Sequence, residues 1–193
     1  HDIGAARHAE KALDAGADGL IAVCSGAGGH CGTINPFALV NEVRQMTDKT
    51  VILAGAITTG RDILAAQVMG ADLVYMGTRF INTEESGAAE SYRDMIIEAT
   101  ATDIFYGNLS DAPSNTLVPC LIRAGVTLDQ IRRQDNDAIR AVAERRKRWK
   151  DIWSAGHGVG VIHDVLPVKE LCDRLKHEYG LALADLNRFR PAT

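Results

Sequence analysis

Short apolar segments alternate with amphipathic segments along residues 1–100. The apolar segments at 19–24, 50–56 and 73–76 are rich in Val, Ile, Leu and Ala, which is typical of buried strands. The segments between them carry apolar residues at helical spacing, and residues 1–3 have the pattern of the end of one more strand. This order predicts an α/β fold, with a parallel sheet and helices outside it.

A weak internal repeat supports this organisation. Residues 14–23 and 68–77 each combine the tail of a helix, a glycine, an Ala-Asp pair and a short apolar strand. Glycine tolerates the left-handed conformation that ends many helices, so Gly16 and Gly70 are expected to end two helices. Two architectures fit the alternation, namely an open doubly wound sheet and part of a (β/α)8 barrel.

The two architectures differ in the length of chain that they need. A complete (β/α)8 barrel takes about 250 residues, and this chain has 193. On the barrel hypothesis we therefore expect only the C-terminal half, with strands five to eight. The first residue is His1 rather than Met, which favours a fragment whose beginning is missing.

Composition and charge narrow the class of protein. A hydrophobic content of 46% with 24% charged residues is ordinary for a soluble globular domain. The net charge of -4 and the absence of any run of about 18 apolar residues give no indication of a nucleic-acid or membrane partner. The cysteines show no CxxC spacing and no signal peptide is evident, so we expect reduced thiols, a cytoplasmic protein and no metal site.

Glycine-rich loops follow the three predicted strands. They are SGAGGHCGT at 25–33, AGAITTGRD at 54–62 and MGTRF at 76–80. Ligands of parallel α/β folds bind at the carboxyl ends of the strands, so these loops are expected to share one pocket. None of them has the GxGxxG or Walker A pattern, which disfavours a dinucleotide or a P-loop nucleotide.

The second and third loops offer groups that bind an anion. Gly55 and Gly77 would let a ligand approach backbone N–H groups, and the helix that begins near residue 60 would add the positive end of its dipole. Hydroxyl donors would come from Thr58, Thr59 and Thr78. The sequence therefore predicts a phosphorylated cofactor at this edge of the sheet.

Three segments carry a resemblance to a known family. They are GADGLIAVCSGAGGHCGT, VILAGAITTGRDILAAQVMGADLVYMGTRF and WKDIWSAGHGVG. They resemble the FMN-dependent nitronate monooxygenases, whose fold is a TIM barrel with a smaller inserted helical domain. The resemblance implies that residues 1–100 form the C-terminal half of the barrel, that 101–149 form a helical insertion, and that 150–193 form a loop and helix packed back on the barrel.

The resemblance also implies a site. Gly28 and Gly29 would lie beside the ring of FMN, and His30 matches the active-site histidine of the family. Two loops would hold the FMN phosphate, with Ala54, Gly55 and Ala56 on one side and Met76, Gly77 and Thr78 on the other. Many relatives have Ser and Gly where this chain has Ala54 and Ala56.

By the same resemblance, the expected reaction oxidises an alkyl nitronate, such as propionate 3-nitronate, with O2 to a carbonyl compound and nitrite. His30 would hydrogen-bond the nitronate or remove the α-proton of a nitroalkane. One alternative is an NAD(P)H-dependent flavin reductase of quinones or enoyl thioesters, although Asp2 stands where quinone-reducing relatives have Lys. A second alternative is a non-catalytic module that binds a phosphorylated ligand. The sequence leaves open whether the protein forms a homodimer.

Overall fold

The structure is a computed structural model that describes residues 1–109, 112–146 and 150–189. It has two sheets and a set of surrounding helices. The strands are β1 (Asp2–Ile3), β2 (Gly19–Val23), β3 (Gly29–His30), β4 (Thr50–Ala54), β5 (Leu73–Tyr75), β6 (Ile104–Gly107) and β7 (Ser114–Leu117). The helices are α1 (Ala6–Asp14), α2 (Pro36–Arg44), α3 (Gly60–Val68), α4 (Thr78–Ile81), α5 (Glu90–Glu98), α6 (Val118–Ala124), α7 (Leu128–Arg132), α8 (Asn136–Ala143) and α9 (Val168–Asp185).

The larger sheet is parallel throughout, with strand order β1-β2-β4-β5. Ala22 pairs with Ile3 on one side and Leu53 on the other, and Leu53 pairs with Val74. This row faces the helices, because Ile3, Ala22 and Leu53 are buried together with apolar residues of α1 and α2. The predicted α/β fold with a parallel sheet is confirmed.

The other face of this sheet is apolar but only partly covered. Its cross-strand rows are Ile21, Ile52 and Leu73, and Val23, Ala54 and Tyr75. Leu73 is 56% exposed, and Tyr75 is 62% exposed. Parallel strands normally have both faces buried, so the described residues provide only one of the two layers that such a sheet needs.

Two glycines end helices as the internal repeat predicts. Gly16 follows α1 with φ +88°, and Gly70 follows α3 with φ +110°. Each lies three residues before a strand of the parallel sheet. These left-handed turns bring the chain back to the sheet over a short connection.

The segment predicted to be a helical insertion also contains strands. β6 and β7 pair antiparallel, and β7 also pairs with β3 from the first glycine-rich loop. All four residues of β7 are buried although its sequence, SNTL, is largely polar, so apolar patterning could not reveal it. In the same segment, helix α8 ends at Ala143, and residues 147–149 lie outside the described residues.

The last long helix, α9, packs across α3. Gly60 lies at the contact, where an added Cβ would overlap the carbonyl oxygen of Leu175 and the amide nitrogen of Tyr179. The backbone N–H of Gly60 donates to the carboxylate of Glu178 at 2.8 Å. Within the described ranges, no helix is long and apolar enough to cross a membrane.

We expect Gly60→Ala to destabilise the fold, because the new methyl group would push α9 away from α3. Overpacking of this kind costs about 1–3 kcal/mol. Gly180→Ala is the matched control, since Gly180 lies in α9 with open space around it and alanine favours a helix by about 0.5–1 kcal/mol. Urea unfolding should show a lower midpoint for the first variant only. Equal midpoints would contradict this account of the helix contact.

Candidate functional site

A cavity of about 300 Å³ lies at the carboxyl ends of β2, β4 and β5. We call it the glycine cavity. It is lined by residues 26–29, 54–58 and 77–78 and by Tyr75, Ile81, Tyr92, Ser154, Gly156 and Gly158. Its size is at the lower end of the roughly 300–1,000 Å³ typical of small-molecule sites. The structure thus brings together every predicted cofactor residue except Met76.

Three loops meet at this cavity through backbone contacts. The carbonyl oxygen of Gly26 accepts hydrogen bonds from the N–H of Ala56 at 3.2 Å and of His157 at 3.0 Å. An added Cβ at Gly28 would lie 2.8 Å from the nitrogen of Gly156. Gly28 therefore allows close packing between loops as well as lining the cavity.

Other backbone groups around the cavity are free to bind a ligand. Among the described residues, nothing accepts a hydrogen bond from the backbone N–H of Gly55, Gly77 or Thr78. No atom lies within 4 Å of the position that a Cβ of Gly77 would occupy. The side-chain oxygen of Thr78 accepts from the N–H of Gly156 at 2.9 Å, which leaves its own proton to donate.

The beginning of α3 is not free in the same way. The amides of Thr58 and Thr59 both donate to the carboxylate of Asp62, at 2.9 and 2.8 Å, and Glu178 accepts from the amide of Gly60. The hydroxyl of Thr58 donates to the carbonyl oxygen of Gly158 at 3.2 Å. These carboxylates occupy the amides at the start of the helix whose dipole was expected to attract an anion, whereas the amides of Gly55, Gly77 and Thr78 have no acceptor among the described residues.

No charged side chain is among the described residues that line the glycine cavity. Arg79 follows Thr78 directly, but it is 3% exposed and donates to the carboxylate of Asp164 at 2.6 Å. Arg174 donates to the other oxygen of the same carboxylate at 2.7 Å. This ion-pair network fixes α4 to the C-terminal segment and keeps the Arg79 guanidinium out of the glycine cavity.

Two tyrosines complete the wall of the cavity. Tyr92 stacks on Trp153 with ring centroids 4.8 Å apart, and its hydroxyl donates to the carbonyl oxygen of Ser154. Burial raises the pKa of Tyr92 to about 12, so the phenol stays neutral. Tyr75 lies at the end of β5, and its hydroxyl makes no hydrogen bond to the described residues.

His30 lies outside the glycine cavity. It lines a larger cavity of about 620 Å³, which we call the histidine cavity. The other residues that line it are Asp2, Ile3, Gly4, Ala5, Arg7, His8, Val23, Cys31, Gly32, Thr33, Ile34, Tyr106 and Pro113. Because Gly29 lines one cavity and His30 the other, the short strand β3 borders both cavities.

The neighbouring thiols are not activated. Burial raises the pKa of Cys31, with an opposing effect from a hydrogen bond with the backbone of Asn115, and burial raises the pKa of Cys24 to about 12. A nucleophilic cysteine needs the opposite shift. Within the described ranges, no three His, Cys, Asp or Glu side chains are grouped so as to hold a metal ion.

Several residues around the cavity carry no motif in the sequence. Asn115 of β7 is 1% exposed and donates to the carbonyl oxygen of Ala27 at 2.8 Å, which holds the first glycine-rich loop against the second sheet. Tyr92 lies in α5, outside the three loops, and belongs to no recognisable motif. Tyr75 could have been found, because residues of one cross-strand row share a face and Ala54 was already a candidate.

Family comparison identifies the chain. The sequence model of the nitronate monooxygenase family matches residues 1–178. The chain belongs to the nitronate monooxygenase family. A probable nitronate monooxygenase of Staphylococcus haemolyticus strain JCSC1435 is 29% identical over 175 residues, which cover 79% of this chain and 49% of that protein. One from Staphylococcus aureus strain JH9 is 34% identical over 134 residues, covering 60% and 38%.

Solved structures of TIM-barrel type are similar to this family member. FabK from Thermotoga maritima matches with a TM-score of 0.81 and 26% identity, covering 98% of this chain and 63% of that one. A nitroalkane oxidase from Streptomyces ansochromogenes matches with a TM-score of 0.76 and 25% identity, covering 96% and 58%. The chain thus spans about half the length of the curated relatives and about three fifths of these structures.

Ala56 is strained at the edge of the glycine cavity, because it adopts a left-handed conformation with φ +56°. This conformation costs a residue with a Cβ about 1–2 kcal/mol, and the greater freedom of unfolded glycine offsets about 0.5–1 kcal/mol. We therefore expect Ala56→Gly to raise the free energy of unfolding by about 0.5–1 kcal/mol. Ala15→Gly is the matched control, since Ala15 is exposed at φ -77° and should lose stability. A lower free energy of unfolding for Ala56→Gly than for the wild type would show that Ala56 is not strained.

Proposed function

We propose that this chain carries the FMN-binding part of an enzyme that oxidises alkyl nitronates with O2 to a carbonyl compound and nitrite. The observation that carries the proposal is the set of free backbone N–H groups of Gly55, Gly77 and Thr78 around one cavity. Membership of the nitronate monooxygenase family supports the reaction. Since the chain spans about half of its curated relatives, the activity is proposed for the whole protein.

The residues present fit FMN. The amides of Gly55 and Gly77, with the hydroxyl of Thr78, would hold the phosphate, because they are unpaired donors on adjacent strand ends. Ala54, Ala56 and Met76 belong to the same two loops and would shape the phosphate site. Gly28 and Gly29 would lie beside the ring, where a bare backbone permits close approach.

The protein's own contribution to the reaction is to place and polarise the substrate. When bound, the flavin supplies the electron acceptor. The nitronate would bind in the histidine cavity, where the imidazole of His30 donates a hydrogen bond to it or accepts the α-proton of a nitroalkane. β3 would fix the relative position of ring and imidazole, because Gly29 and His30 are consecutive and face the two cavities.

We also propose that the parallel sheet is strands five to eight of a (β/α)8 barrel. Three observations support this: the strand order, the apolar face that is only partly covered, and the similarity to about three fifths of FabK. Residues 1–100 would form the barrel half and 101–149 the insertion. Residues 150–193 would pack back on the barrel, as the contact of α9 with α3 suggests for the part that is described.

A second candidate function is an NAD(P)H-dependent flavin reductase of quinones or enoyl thioesters. It is favoured by the similarity to FabK, an enoyl reductase, at a TM-score of 0.81. Both candidates use the same cofactor site and differ in the substrate. Oxidation of NADH with a quinone or an enoyl thioester, in a protein that leaves nitronates unchanged, would establish the reductase.

Removal of the imidazole should abolish most of the nitronate activity. In the protein expressed from its complete gene and loaded with FMN, we expect His30→Ala to lower nitrite release from propionate 3-nitronate by about 10²- to 10³-fold, the effect of losing one hydrogen-bond donor to the reacting anion. FMN affinity should stay unchanged, since His30 lines the other cavity. His177→Ala, at an exposed position of α9, is the matched control. Wild-type turnover in His30→Ala would exclude the catalytic role.

The phosphate site has its own test. Because nothing lies within 4 Å of a Cβ at Gly77 and its φ is -101°, Gly77→Ala should fold normally. The methyl group would enter the space assigned to the phosphate, so we expect FMN to bind at least tenfold more weakly, as measured by fluorescence titration. Gly87→Ala, also at an open position, should bind FMN normally. Equal affinity in both variants would place the phosphate elsewhere.

A further inference from the structure

Tyr75 is a large aromatic side chain with no structural role that its contacts explain. It is the last residue of β5 and shares a cross-strand row with Ala54 and Val23, on the face away from the helices. It is 62% exposed. Its hydroxyl makes no hydrogen bond to the described residues, and it lies outside both apolar cores.

Tyr75 differs from Tyr92, the other tyrosine of the glycine cavity, in the partners of its side chain. Both tyrosines line the glycine cavity, but one face of the Tyr92 ring is covered by Trp153 and its hydroxyl is bonded to Ser154. Tyr92 is thereby held by the protein itself. The ring of Tyr75 has no such aromatic partner among the described residues, and it borders the same space as the free amides of Gly55 and Gly77.

The glycine cavity offers hydrogen-bond donors on one set of residues and an aromatic ring on another. The free donors belong to the loop residues Gly55, Gly77 and Thr78, which suit an oxyanion. Tyr75 offers an aromatic face, which prefers an offset-stacked or edge-on aromatic ring. A ligand that satisfies both would carry a phosphate and a planar aromatic system.

We propose that Tyr75 packs against the isoalloxazine ring of the flavin and sets the affinity for the ring independently of the phosphate. The proposal rests on the proposed function, since it assigns a residue to the cofactor inferred there. Tyr75 would then bind the ring through its side chain, whereas the glycine-rich loops contribute backbone groups.

The test compares FMN with riboflavin, which has the same ring system and no phosphate. Aromatic packing is worth about 0.5–1.5 kcal/mol, or about 2- to 10-fold in Kd. In the protein expressed from its complete gene, Tyr75→Leu should raise the Kd of both ligands by the same factor, and Tyr75→Phe should restore wild-type affinity. Gly77→Ala should weaken FMN but not riboflavin.

Leu73→Ala is the matched control, because Leu73 lies on the same strand and face and does not line the cavity. Tyr75→Ile, which suits a strand, replaces Tyr75→Leu if that variant does not fold. Unchanged Kd values in the aliphatic variants would overturn the role of Tyr75 and leave the proposed function standing. Failure of the wild-type protein to bind either flavin would instead refute the proposed function.

Discussion

The carbonyl oxygen of Gly26 is the point at which the loops of the site are joined. It accepts hydrogen bonds from Ala56 after β4 and from His157 in the C-terminal segment. Such a junction requires loops that approach backbone to backbone, and Gly28 and Gly156 permit this because neither carries a Cβ. The shape of the glycine cavity therefore depends on contacts within the protein before any ligand is considered.

Glycines with different surroundings have different uses in this site. At Gly28 an added methyl group would meet the backbone of Gly156, whereas at Gly77 it would meet nothing. A sequence pattern cannot separate these cases, because both residues belong to glycine-rich loops after strands. The amides at the start of α3 differ from those of the neighbouring loops in a similar way, because they donate to the carboxylates of Asp62 and Glu178.

Local chemistry made the parallel sheet predictable. Segments such as residues 50–56 are apolar and β-branched, and Gly16 and Gly70 end helices where the repeat places them. The second sheet was not predictable, because β7 is polar in sequence and is stabilised by pairing with β3 and β6. The grouping of the glycine-rich loops followed from strand topology, but the separation of His30 into another cavity depends on side-chain directions that spacing does not give.

The hydrogen bonds that close the glycine cavity join residues far apart in the chain. Thr58 and Gly158 are 100 residues apart, and Thr78 and Gly156 are 78 apart. Contacts of such long range form late, because the entropy of closing a long loop must be overcome first. During synthesis the first two glycine-rich loops leave the ribosome well before the segment that completes their walls. Ser154, Gly156 and Gly158 line the cavity, so a chain that ended before this segment would lack one of its walls.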